Sequence, residues 1–402
     1  MGCLGHIKSL LSSSSSAPKN TTPQKAAAPA AEPKPSTTSS SNTKLEHRPK
    51  PTDTTTTTTI TNMSLPKTYK QASFKEKGGD LVFDQVELKL PGPGEILLKV
   101  EACGVCHSDV FPKYDGWGKG FPTVPGHEII GRVAAVGEGV DNWKINERIG
   151  GAWHGGQCGV CDLCKKGLYN FCSPYVVNGV TKDGGYAEYC TIRAQAAIRV
   201  PEGVDAAQYA PVLCAGSTVY VALKKANLNP GSTVAVQGLG GLGHMAIQYA
   251  KQMGHKVIAI SRGTSKEASI RKLGATEYID STAGDPGEAL VKLGYADLVL
   301  STAMQTDAIA PLVKGVGIYG KLLVVSFPTP GEMTINVNDM MMRGVTLQVI
   351  PVGTAHECEE ALNFAHLHAI DSEVETFPLD KAQEAFDKML SGNVRFRSVI
   401  LP

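Results

Sequence analysis

The 402-residue chain has no run of eighteen or more apolar residues, so no segment is long enough to span a bilayer as a helix. It also lacks an excess of either charge. Its 39 Lys and Arg balance 38 Asp and Glu, and a net charge of +1 leaves no electrostatic footprint for nucleic acid or an anionic membrane. No signal peptide with an apolar core is present, and residues 1–62 hold one arginine, Arg48, where a transit peptide is Arg-rich. His6 stands where the pattern for N-myristoylation after Met1-Gly2 wants Ser or Thr. The expectation is a cytoplasmic protein in which the ten cysteines stay reduced and some of them bind metal. Only 6% of residues are aromatic, but 42% are hydrophobic, enough for a large core divided between two domains.

Residues 1–62 are built from low-complexity runs, Ser12 to Ser16, Ala26 to Ala28 and Thr54 to Thr59, studded with Pro and Lys. Such a segment cannot repay the entropy of ordering, and it reads as a disordered tail ahead of Met63.

The densest chemistry lies in Cys103-Gly-Val-Cys-His-Ser-Asp109, which sets a thiol, an imidazole, a hydroxyl and a carboxylate side by side from Cys106 to Asp109. Donors for a shared metal are available at Gly126-His127-Glu128 and at Cys214. Catalytic zinc takes three protein ligands, Cys2His among them, and leaves a fourth position open; each of these residues alone could equally be an ordinary core residue. A second cluster, Cys158, Cys161, Cys164 and Cys172, has the spacing C-x2-C-x2-C-x7-C. Four thiolates close a tetrahedral zinc, which staples a loop and does no chemistry. A ferredoxin run would need its fourth cysteine after three residues, followed by Pro; here it comes after seven, followed by Ser173.

Tyr69 to Val200 reads as short strands and turns, with strands expected over Leu81 to Phe83, Ile96 to Val100, Ile129 to Val136 and Tyr189 to Ile192. After Pro230 the rhythm changes. Strand Thr233 to Gln237 runs into Gly238-Leu-Gly-Gly-Leu-Gly243, and a helix is expected over His244 to Met253. Strand, G-x-G-x-x-G and helix is the dinucleotide context: Gly238 turns the chain, Gly240 admits the pyrophosphate, and Gly243 lets helix pack on strand. Strand Lys256 to Ser261 should end at the ribose. NAD-binding chains place an acidic residue there, whereas this chain has Ser261 and Arg262, with Lys266 close behind. A hydroxyl and cations suit a 2′-phosphate, so the coenzyme is expected to be NADP(H); the competing reading has Arg262 and Lys266 merely solvating a helix start.

In this order, the His127 and Cys214 motifs, the four-cysteine lobe and the glycine turn make residues 65 to 402 resemble the zinc-containing medium-chain alcohol dehydrogenases. The strand end at Ser261 makes the chain similar to their cinnamyl-alcohol-dehydrogenase branch. The resemblance implies an α/β plus β fold: a GroES-like catalytic β domain over 63–214, completed by 354–402, and a doubly wound Rossmann domain over 215–353. It implies two Zn2+ per subunit, one held by Cys106, His127 and Cys214, the other by the four-cysteine lobe. Cys103 is excluded, since it falls where the family tolerates Ser. Glu128 becomes a carboxylate near the zinc, Asp109 the partner that orients His127, and Ser108 the proton relay. His107 and Arg397 face the pyrophosphate, and Gly238, Gly240, Gly241 and Gly243 cradle it. Thr218 touches the nicotinamide, while Ser261, Arg262 and Lys266 read the adenosine end. Many relatives carry a relaying His where this chain has Phe111. The activity implied is interconversion of a primary alcohol and its aldehyde, in a homodimer or homotetramer. Tyr114, Trp117, Trp153 and the region of Val349 to Val352 are expected to line an apolar or aromatic pocket. Two alternatives stay open: an NAD-dependent alcohol or polyol dehydrogenase, and a non-catalytic NADPH- or zinc-binding redox sensor.

Overall fold

The structure, a computed structural model, describes residues 65–329 and 331–402. The expected tail, residues 1–62, lies outside the described residues. Among them no single helix is long and apolar enough to cross a membrane.

The chain begins with an antiparallel hairpin, β1 (Thr68–Phe74) and β2 (Leu81–Glu87). The curved sheet that follows is built on β3 (Glu95–Val105), β4 (Glu128–Val136), β5 (Arg148–Gly151), β6 (Tyr189–Arg193) and β7 (Ala197–Arg199). The long strand β3 pairs antiparallel with both β4 and β6, and two register shifts in the β3–β4 ladder supply the bend of a barrel-like sheet. β3 outruns the expected Ile96 to Val100 because its second half, through Ala102, Cys103 and Val105, is buried and still laddered to β4. Cys106 therefore sits at the exit of the central strand.

A parallel sheet follows, made of β8 (Thr233–Gln237), β9 (Lys256–Ser261), β10 (Glu277–Asp280), β11 (Ala296–Ser301), β12 (Val316–Val324) and β13 (Thr346–Val349). Its order, β10-β9-β8-β11-β12-β13, is that of the doubly wound dinucleotide fold, whose ligand crevice lies at the carboxyl ends of β8 and β11. Helices α1 (Ala215–Ala226), α2 (Gly241–Gln252), α3 (Glu267–Leu273) and α4 (Pro286–Lys292) belong to this half. α2 starts at Gly241, three residues before the expected His244, because Gly240 already serves as its N-cap. α5 (Ala355–Leu367) and α6 (Ala382–Ser391) flank the return to the first sheet. There β14 (Val374–Pro378) and β15 (Arg397–Leu401) pair in parallel, and β15 lies antiparallel to β3, Ser398 opposite Val105 and Ile400 opposite Cys103.

One apolar cluster runs from Ile130 and Ile198 through Leu213 and Val219 to Val234 and Leu300, so the two sheets share a core. Besides His127, two histidines are sealed into the protein, His154 and His244. His244 keeps its ring nitrogens 3.2 Å from the Gly240 carbonyl and 3.1 Å from Ser372 Oγ, stacked on Phe396. Burial lowers its pKa to about 3 and that of His154 to about 4. Unfolding releases both rings to a pKa near 6.5, so below that pH the unfolded chain binds protons that the fold refuses. Stability is thus full above pH 6.5 and is lost as pH falls, until each ring protonates in the fold near 4 and 3. The expected loss is roughly 1.4 kcal/mol per pH unit for each ring. Urea midpoints at pH 7 and pH 5 check this; equal midpoints would contradict it.

Candidate metal and coenzyme site

Donor atoms of Cys106, His127, Glu128 and Cys214 lie within 4.8 Å of one another, although Cys106 and Cys214 are 108 residues apart in the chain. Cys106 leaves β3 and begins the short turn His107–Asp109; His127 directly precedes β4, paired to β3; Cys214 is the N-cap of α1. Strand pairing thus sets the first two donors and the shared core sets the third. The two sulfurs are 3.9 Å apart, and their contact holds the Cys106 thiol well below the usual range while pushing Cys214 above it.

Asp109 organises the group. Its carboxylate lies 3.1 Å from His127 Nδ1 and accepts 2.9 Å bonds from the Tyr186 hydroxyl and the Cys106 N–H. Nδ1 is therefore occupied, while the fully buried Nε2 has no protein partner; the His127 and Trp153 rings meet at right angles with their centroids 4.9 Å apart. A buried imidazole nitrogen without a partner, facing two thiols and a carboxylate, is the arrangement a zinc ion satisfies, so these residues fit the metal. Glu128 is also fully buried. One oxygen meets the Arg397 guanidinium and the other has no protein partner. Burial pushes its carboxyl up to about 7 against the opposing pull of Arg397. Gly104 makes this possible, since a Cβ there would fall on the Glu128 carboxylate. Cys103 stays outside the group, its sulfur packed where a Cβ on Gly126 or Gly185 would stand. Ser108 and His107 follow Cys106 on the turn and are half-buried; Thr218 is buried in the first turn of α1, its N–H donating to the Cys214 carbonyl at 2.9 Å.

Cys158, Cys161, Cys164 and Cys172 also come together within 4.8 Å. The backbone N–H groups of Cys158, Cys161 and Cys164 donate to the sulfurs of Cys172, Cys158 and Cys161 at 3.2, 3.3 and 3.4 Å. Donors of this kind favour thiolates, and the Val160 and Cys161 N–H groups bring Cys158 down to about 6. The four sulfurs fit a closed zinc site.

At the nucleotide end each glycine has its own reason. Gly238 has φ +86° and would strike Thr302 with a Cβ; Gly243 would overlap the Gly238 carbonyl; Gly240 has open space, as an approaching pyrophosphate requires. A Cβ on Gly241 would run into Arg397, so the guanidinium that meets Glu128 also lies over the start of α2. Beyond Ser261, Arg262 is exposed, and the Lys266 ammonium donates to the Leu239 carbonyl within the turn at 3.0 Å.

Next to His127 lies an aromatic cluster. Phe111 packs 6.3, 6.4 and 5.7 Å from Trp117, Trp153 and Phe327, and Trp117 lies tilted 5.5 Å from Tyr175, whose hydroxyl accepts a 3.0 Å bond from Trp153 Nε1. Val352 packs against this group, but Val349 is 66% exposed. Tyr114 corrects the sequence expectation: it is buried against Gly78 among Phe74, Val110 and Phe386 under the first sheet, because the turn Val110–Lys113 directs it inward. Tyr186, Tyr175 and Phe327 were not found from sequence. Each reaches the site through contacts distant in sequence, and no local pattern marks it.

The family model for the alcohol dehydrogenase GroES-like domain matches residues 92–202, and that for the zinc-binding dehydrogenase matches residues 241–366. The chain is 56% identical over 338 residues to alcohol dehydrogenase notN of Aspergillus sp. (strain MF297-2), covering 84% of this chain and 99% of that one. Among solved structures, a cinnamyl alcohol dehydrogenase of Sorghum bicolor superposes with a TM-score of 0.75 at 30% identity, covering 83% of this chain and 97% of that one. Acetophenone reductase of Geotrichum candidum, in complex with NAD, gives 0.73 at 30% identity, with coverage of 84% and 98%.

Proposed function

Because this chain belongs to the zinc-binding medium-chain alcohol dehydrogenases, we propose that it reduces an apolar or aromatic aldehyde to the primary alcohol with NADPH, and runs the reverse with NADP+. The observation that carries this reading is the convergence of Cys106, His127 and Cys214 around an unpartnered His127 Nε2, one shared core away from the glycine turn. In the proposal these three residues hold the catalytic zinc and Cys158, Cys161, Cys164 and Cys172 the structural one. Residues 63–214 with 354–402 form the catalytic unit, and 215–353 the coenzyme unit. When bound, the zinc supplies a Lewis acid for the substrate oxygen and the coenzyme supplies the hydride.

The chain's own residues do the rest. Asp109 fixes the tautomer and tilt of His127 so that Nε2 faces inward. Ser108 holds the proton that the alcohol oxygen gains. Phe111 carries no proton and sits among aromatic rings, so exchange beyond Ser108 leaves on the coenzyme side. Arg397 neutralises Glu128 and faces the pyrophosphate together with His107, while Thr218 borders the nicotinamide. Trp117, Trp153, Phe111 and Phe327 exclude water and favour a ring-bearing substrate, which agrees with the aromatic compounds named for the two solved relatives. The coenzyme preference rests on Ser261, Arg262 and Lys266, with no carboxylate at the strand end. A second copy of the chain fits the exposed apolar residues Ile318, Tyr319, Met341 and Met342 near the sheet edge, giving a homodimer as the basic assembly.

Initial rates of NADPH and NADH oxidation with benzaldehyde test the reading. NADPH should be favoured by about tenfold or more, the contribution of a charge-assisted bond. Equal rates or an NADH preference would overturn the coenzyme assignment, and no turnover with either, at full zinc content, would favour the non-catalytic reading.

A further inference from the structure

Three cations meet beside the end of β9, and among the described residues none of them has an acidic partner. Arg262 and Lys266 come from the coenzyme unit. The third, Arg395, arrives from the opposite side of the cleft, two residues before β15. Its guanidinium donates to Ser269 Oγ at 3.3 Å, and Ser269 follows Lys266 by three residues, on the same face of the first turn of α3. The backbone holds this arm in place: the Arg395 N–H donates to Glu375 at 2.9 Å, Phe396 stacks 4.8 Å from His244 on α2, and Arg397 lies over Gly241. Burial, then the charges of Arg395 and Arg262, lower the proton affinity of Lys266.

Nearby carboxylates are committed elsewhere. Glu267 pairs with Arg271 at 2.9 Å, and Glu375 with Lys388. Asp280 accepts 2.8 Å bonds from the Gly263 and Thr282 N–H groups. Like charges gathered without a counter-charge cost stability unless an anion joins them, and a phosphomonoester is the anion that the adjacent ribose position would bring.

We propose that Arg395 is a specificity residue for the coenzyme's 2′-phosphate, closing the subsite begun by Ser261, Arg262 and Lys266 from across the cleft. The inference rests on the NADP(H) reading above. It also gives the phosphate a structural consequence: through Arg395, Phe396 and Arg397, one three-residue strap touches the 2′-phosphate position, α2 and the Glu128 carboxylate.

The test is calorimetric titration of the full chain with 2′,5′-ADP and with 5′-AMP, in the wild type, Arg395→Gln and Arg395→Lys. Wild type should bind 2′,5′-ADP the more tightly. Arg395→Gln should weaken 2′,5′-ADP by about tenfold or more, as loss of a charged hydrogen bond does, and leave 5′-AMP unchanged. Arg395→Lys should recover most of the loss. Equal weakening of both ligands, or none, would overturn the role of Arg395. A wild type that fails to prefer 2′,5′-ADP would instead remove the NADP(H) reading on which it stands.

Discussion

Cys106→Ser is expected to lower aldehyde reduction on the order of 10³-fold while the protein stays folded, because a Lewis acid contributes several kcal/mol to the transition state. A serine hydroxyl is not ionised at neutral pH and is a poor zinc donor, so the site keeps two of its three proposed ligands. The fold has little reason to follow. The Cys106 side chain touches Cys214 and the His127 group, while its backbone N–H still donates to Asp109 and β3 keeps its ladders. The four-cysteine lobe starts some fifty residues on and is untouched. Circular dichroism and melting should match the wild type, zinc should fall from two to one per chain, and kcat/KM should collapse. Retained activity at one zinc per chain would assign the chemistry elsewhere.

The second large effect is expected from Arg262→Asp. Arg262 is exposed and makes no ion pair among the described residues, so the substitution breaks no structural contact. It replaces a phosphate donor with a repelling charge, and places at the end of β9 the kind of carboxylate that accepts the ribose 2′-hydroxyl of NADH. Losing a charged hydrogen bond of about 1.5–3 kcal/mol and adding repulsion should cut the NADPH-to-NADH ratio of kcat/KM by roughly 10²- to 10³-fold. The loss should fall mainly on KM for NADPH. An unchanged ratio would mean that the cations after β9 only solvate a helix start.

What could be read from sequence was what is written locally. Cysteine spacing marks the lobe, because two-residue gaps bring successive sulfurs onto one loop, and the glycine turn is marked by three steric needs that fall within six residues. Cys103 was set aside on family resemblance alone, and the strand supplies the physical reason: it is buried within β3, whereas Cys106 stands at its exit. Contacts made through tertiary packing were illegible. Tyr186 lies 77 residues from the Asp109 it bonds, and Arg395 lies 126 residues from Ser269. Tyr114 shows the converse error: it was expected to line the pocket with Trp117, but one helical turn sent it into the core. Glu128 was expected near the zinc; that its space depends on Gly104, the residue beside Cys103, emerges only from the paired strands.

The reaction should depend on a zinc held by Cys106, His127 and Cys214. We would dialyse the full chain against a chelator, count zinc and measure NADPH oxidation with benzaldehyde, then restore Zn2+. The rate should fall with the more readily lost zinc and return when it is replaced. A rate that persists in protein stripped of both zincs would contradict that dependence.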